Sequence, residues 1–168
     1  MIQKWIGAGC VFLACGVIGF GAAASLRKEE QLLMQSRRLL EKMESELFCR
    51  ATSLPQLCLC VDGCGKQLER IYHSLSECLN EQVFSDASGC MEAVLCREKL
   101  PQSVENVHKM LGQTLGGYDL GGQLEELAAV KAACQDAIDT LRENMTQRVR
   151  SYQTLGLCAG AALAIVLV

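Results

Sequence analysis

The charges of this chain are confined to its middle. All 19 acidic residues lie between Glu29 and Glu143, and of the 16 lysines and arginines only Lys4 falls outside Arg27–Arg150. From Trp5 to Leu26 there are 22 consecutive residues without charge, and from Ser151 to Val168 there are 18 more. At about 1.5 Å per residue, a helix over the first run spans the roughly 30 Å hydrocarbon core of a bilayer, and the second sits at the short end of that range. A core helix in so small a domain carries charge on one face, so each run is expected to be a transmembrane helix. Ala22-Ala23-Ala24-Ser25 also resembles a signal-peptide cleavage site. Against cleavage, Arg27 and Lys28 follow at once, and an odd count of 11 cysteines suits a reducing compartment better than an oxidising one.

Orientation follows from the basic residues beside the runs. Arg27, Lys28, Arg37, Arg38 and Lys42 follow the first, Arg142, Arg148 and Arg150 precede the second, and only Lys4 stands on the other side. The positive-inside tendency then places residues 27–150 in the cytoplasm, with both termini across the membrane. The expected organisation is a transmembrane helix over 1–26, a cytoplasmic helical bundle over 27–150 and a second transmembrane helix over 151–168. With 15 basic against 19 acidic side chains, the middle carries a net charge of −4, which excludes a basic nucleic-acid binder.

Within the middle the apolar periodicity is helical throughout. Leu33, Ser36, Leu40, Met43 and Leu47 follow 3-4 spacing, with no Gly or Pro from Leu26 to Ala51, so one amphipathic helix continues from the first run. Ser53-Leu54-Pro55-Gln56 reads as a new start, with Ser53 as cap, Pro55 in the first turn and Gln56 closing a capping box. Gly63 and Gly65 interrupt that helix. Leu68, Ile71, Leu75 and Leu79 mark the next, a fourth is expected from about Ser88 to Glu98, and a fifth carries Val104, Val107, Leu111 and Leu115 before stopping at Gly116-Gly117. Asp119 then caps a last helix in which Leu120, Leu124, Leu127, Lys131, Cys134, Ile138, Leu141, Met145 and Tyr152 hold a heptad-like seam broken only by Lys131. The fold class is therefore all-α, a bundle of about five to six helices whose first and last extend into the membrane.

No motif for catalysis or cofactor binding emerges. Cys58, Cys60 and Cys64 form a C-x-C-x3-C series with no C-x-x-C pair, which fits poorly with zinc and better with small buried apolar residues. Val61-Asp62-Gly63-Cys64-Gly65-Lys66-Gln67 has a passing likeness to the end of a phosphate-binding loop, but Cys60 stands where a Gly is needed and Gln67 where the magnesium-binding hydroxyl is needed. His73 and His108 are expected on helix surfaces, and no nucleophile signature marks a triad. Catalytic, cofactor and metal residues are accordingly none. For partner docking, the polar turn over 112–126 stands out, with Asp119, Glu125 and Glu126. For helix packing in the membrane, Gly156-x3-Gly160 offers a small-residue face.

The whole chain resembles the stage III sporulation protein AB family. The likeness rests on a first apolar run followed by a charged helix, on Ala51-Thr52-Ser53-Leu54-Pro55, on Leu111-Gly112-Gln113-Thr114-Leu115-Gly116 with Asp119, and on Tyr152-x2-Leu155-Gly156-x3-Gly160 near the end. The Gly121-Gly122 pair and the many cysteines depart from that pattern. The resemblance implies a non-catalytic membrane component of the channel joining mother cell and forespore, in the mother-cell membrane around the forespore. Its bundle would be similar to the cytoplasmic domains of type II secretion and type IV pilus platform proteins. The implied partners are the secretion-type ATPase stage III sporulation protein AA, the other membrane subunits of the channel and the lipid bilayer. Two alternatives stand beside this expectation: a membrane-tethered metal or redox sensor built on the cysteines, and a platform subunit of a general secretion or pilus system.

Overall fold

A computed structural model describes the backbone of residues 2–50, 53–82, 84, 86–115 and 120–167, and side-chain surroundings for 21, 24–50, 53–82, 84, 86–115, 121–145, 151, 154, 158 and 162. Six helices cover these residues: α1 (Ile2–Arg50), α2 (Leu54–Leu57), α3 (Lys66–Asn80), α4 (Ala87–Leu95), α5 (Gln102–Thr114) and α6 (Leu120–Leu167). No strand occurs among the described residues. The all-α reading holds. The contacts divide the chain into two units, one formed by Gln31–Ile138 and one by Met1–Glu30 with Asp139–Val168, and α1 and α6 contribute to both.

The Gln31–Ile138 unit is the bundle. The expected stripe of α1 is its inner face: Leu33, Ser36, Leu40 and Met43 are wholly buried, with Leu39 beside them. In α3, Leu68, Ile71 and Leu75 point inward together with Tyr72, whereas Leu79 is half-buried. In α5, Val104, Val107, Leu111 and Leu115 are buried as their spacing requires. On α6 the seam is carried by Leu127, Val130, Cys134 and Ile138. Lys131, the break in the seam, lies at its margin and reaches Glu44 on α1 at 2.6 Å, so the charge is paired rather than buried alone. Cys134 donates its thiol to the Leu33 carbonyl at 3.5 Å, a further tie between α1 and α6.

Two local departures have backbone causes. Ser53 occupies the cap position of α2, but its side chain makes no capping bond; its carbonyl instead accepts from Leu57 N–H at 2.8 Å. With Pro55 in the first turn the helix begins without the side-chain cap, and it lasts four residues. The fourth helix ends at Leu95, short of Glu98, because Arg97 and Glu98 donate to Val94 and Leu95 in tighter three-residue bonds of 3.2 and 3.0 Å. Gly63 and Gly65 break the chain as expected, with φ of 78° and 108°. At Gly65 a Cβ would meet only the tip of the flexible Gln35 side chain, which can turn aside, so it is the backbone conformation that requires glycine.

Gly112 has a different reason for being glycine. It lies buried inside α5, and a Cβ there would come within 2.7 Å of the Met91 Cβ on α4. Glycine within a helix costs up to about 1 kcal/mol relative to alanine, and here the close approach of α4 and α5 depends on it.

The other unit differs in burial. Among the described residues of 1–30 and 139–168 none is buried, and Ala24, Thr154, Cys158 and Ala162 are exposed. An ion pair joins its two helices, with Arg142 Nε 2.7 Å from Glu30 Oε1. Among the described residues no helix is long and apolar enough to cross a membrane; most side chains of the two uncharged runs lie outside the description.

Candidate functional site

The polar centre of the bundle is a chain of three side chains from three helices. Ser36 on α1, Tyr72 on α3 and His108 on α5 are all wholly buried. Ser36 donates its hydroxyl to the Leu32 carbonyl at 2.9 Å, which leaves its oxygen to accept from His108 Nε2 at 3.0 Å. His108 Nδ1 is then the acceptor for the Tyr72 hydroxyl at 2.7 Å. The directions close on one assignment, a neutral imidazole protonated at Nε2. Burial supports it: His108 titrates at about 4, well below its usual range, and the same burial lifts the Tyr72 phenol well above its own. The Tyr72 and His108 rings also meet edge to face with centroids 5.6 Å apart.

A serine beside a histidine invites a catalytic reading, which the geometry does not support. All three groups are sealed from solvent, and the serine proton is spent on a backbone carbonyl. The network holds α1, α3 and α5 in register. The expectation that His108 lies on a helix surface is corrected here, whereas His73 is exposed as expected. The signal was present in the spacing. His108 falls four residues after Val104 and three before Leu111, in phase with the buried stripe of α5.

The C-x-C-x3-C series folds into the turn between α2 and α3. Cys58 and Cys64 are buried and Cys60 is half-buried. Burial pushes the Cys58 thiol up to about 12, with Cys60 adding to it, and burial also raises Cys60 and Cys64. Among the described residues no group of three His, Cys, Asp or Glu side chains is placed to hold an ion. The glycine loop after them is not a phosphate cradle: Gly63 N–H is taken by Glu69 Oε1 at 3.1 Å, and the Lys42 ammonium donates to the Asp62 carbonyl.

Of the docking residues, Glu125 is exposed and Glu126 half-exposed on the first turns of α6, while Asp119 lies outside the described residues. Gly156 and Gly160 fall within α6, where their surroundings lie outside the description. A feature that residue spacing did not foreshadow is a groove of about 750 Å³ between the start of α2, the end of α3, the start of α4 and the end of α5. Leu54, Leu79, Gln82, Phe84, Ser88 and Leu115 are among its walls. Phe84 is 45% exposed there, and Gln82 adopts a left-handed φ of 51°.

Taken together, the fold and its polar centre define an all-helical bundle protein whose described interior chemistry is structural. The model of the family described as stage III sporulation protein AB matches residues 4–168, and the chain belongs to that family. A solved structure titled "Stage III sporulation protein AB (SpoIIIAB)" is similar in fold, with a TM-score of 0.61 at 18% identity over 70% of this chain and 96% of that one. No curated protein matches the chain.

Proposed function

We propose that this chain is a non-catalytic membrane platform of the mother cell–forespore channel. Its cytoplasmic bundle docks the secretion-type ATPase, stage III sporulation protein AA, and its two uncharged helical segments hold it in the mother-cell membrane around the forespore beside the other channel subunits. Family membership across 4–168 carries the reading. The burial contrast supports it: a unit none of whose described apolar positions is buried is at home in an apolar surrounding, and lipid provides one. The glycine loop fits it too, since Gly63 N–H is taken by Glu69 and the Asp62 carbonyl by Lys42 of α1. Energy for transport would then come from the partner. Because α1 and α6 run unbroken from the bundle into the uncharged segments, a push on the bundle would be passed toward the membrane along those two helices. Asp119, Glu125 and Glu126 are the proposed docking residues, and Gly156 and Gly160 the proposed packing face within the membrane.

Co-purification tests the reading. The full chain, extracted in detergent, should retain the ATPase, and deletion of 27–150 should abolish retention while leaving the chain in the membrane fraction. Equal recovery of the ATPase with the deleted chain would refute docking through the bundle.

A further inference from the structure

The groove between α2, α3, α4 and α5 has a charged corner, and Asp86 is the only charged residue of its described walls. A Cβ built on Gly89, in the first turn of α4, would stand 3.0 Å from Asp86 Oδ1 and 3.3 Å from both Cβ and Cδ1 of Phe84. A carboxylate and a phenyl ring therefore lie over the same glycine, and both belong to the groove wall. Phe84 is 45% exposed. Asp86 holds the N-cap position of α4 without a capping bond, and its exposed carboxylate has no ion-pair partner among the described residues. The surrounding sequence is acidic: Glu77, Glu81, Asp86 and Glu92 lie between Arg70 and Arg97 with no lysine or arginine among them, and Arg70 is paired with Glu98 at 3.8 Å. Beside the corner, Leu54 and Leu79 are half-buried, and Gln82 and Gln113 carry exposed side-chain amides without a partner among the described residues.

We propose that this groove docks a short segment of a partner protein in which an arginine is flanked by aliphatic residues. A guanidinium suits the corner, because it pairs with a carboxylate through its N–H donors and lays its plane on an aromatic face. The aliphatic neighbours rest on Leu54 and Leu79, and the amides of Gln82 and Gln113 can both donate to and accept from the backbone of the segment. The acidic stretch from Glu77 to Glu92 attracts a basic segment and repels an acidic one. The corner lies on the connection from α3 to α4, far along the chain from Asp119, Glu125 and Glu126, and the inference does not depend on the platform reading.

The test uses the full-length protein in nanodiscs of phosphatidylcholine, a lipid without net charge, with empty nanodiscs as the blank. Three fluorescent peptides carry Leu-Arg-Leu, Leu-Gln-Leu or Leu-Glu-Leu between glycine-serine flanks, and binding is read by anisotropy. The arginine peptide should bind about tenfold more tightly than the glutamine peptide, the effect of a carboxylate and a ring face acting together at an open site. The glutamate peptide should bind more weakly still. Asp86→Asn keeps a capping residue and Phe84→Leu keeps an apolar side chain at a partly exposed position, so both variants should fold. Each should cut the arginine preference to about threefold, and the double variant should abolish it. Equal binding of the arginine and glutamine peptides would overturn the proposal. So would an arginine preference that survives the double substitution, or no binding of any peptide at about 1 mM.

Discussion

The bundle and the unit of residues 1–30 and 139–168 share the two long helices α1 and α6, yet they use apolar residues in opposite ways. In the bundle, apolar side chains recur every three or four residues and are buried: Leu33, Leu40 and Met43 on α1, Leu127, Val130 and Ile138 on α6. In the other unit the uncharged runs have no polar face to alternate with, and none of the described residues is buried. Periodic apolarity signals a protein interior, and unbroken apolarity signals an apolar solvent. The count of apolar residues alone does not separate the two.

Substitutions should respect that division, most strongly inside the bundle. Leu111 is wholly buried on α5, so Leu111→Ala should cost about 3 kcal/mol through lost burial and the cavity left behind. Denaturant unfolding followed by helical circular dichroism would measure it, and a cost under about 1 kcal/mol would mean that the core is looser than described.

The buried imidazole adds a pH dependence of nearly the same size. His108 titrates at about 4 when folded against an ordinary 6.5. Below 6.5 the unfolded chain takes up a proton that the folded one refuses. Stability is therefore fully present above that pH and drains away as pH falls toward 4, by about 3 kcal/mol in total at roughly 1.4 kcal/mol per pH unit. His108→Leu should be less stable at neutral pH, because it strands the Ser36 and Tyr72 hydroxyls, but its decline between pH 7 and pH 5 should be shallower. Parallel pH profiles for the two proteins would remove the buried neutral histidine from the account.

The smallest effect belongs to the other unit. Arg142 and Glu30 pair at 2.7 Å with the arginine side chain half exposed, and such pairs contribute roughly 0–1 kcal/mol. Arg142→Ala should leave the unfolding midpoint of the bundle almost unchanged. A shift as large as that of Leu111→Ala would erase the energetic contrast between the units.

Much of the bundle is legible in residue spacing, because helices report their inner face directly. The stripe of α1, the glycine breaks at 63 and 65 and the stripe of α5 all follow from local rules. Lys131 looks like a flaw in the last seam until Glu44 is seen opposite, since ion pairs between distant helices leave no local trace. His108 lies in phase with its stripe, but a histidine at a core position needs partners, and Ser36 and Tyr72 come from other helices. The groove walled by Leu79, Phe84 and Leu115 depends on how α3, α4 and α5 pack, which periodicity does not encode. Glu125 and Glu126 sit where the pattern put them, as exposed and half-exposed positions on α6.

The central claim is that the uncharged segments fasten the bundle to the inner side of a membrane. Cys49 and Cys96 are exposed on the bundle and serve as reporters. A membrane-impermeant maleimide applied to intact cells that make the chain without sporulating, so that it sits in the outer cell membrane, should leave both unlabelled, and both should react once the membrane is opened with detergent. Labelling of Cys49 or Cys96 in sealed cells would put the bundle on the outer side and contradict the account.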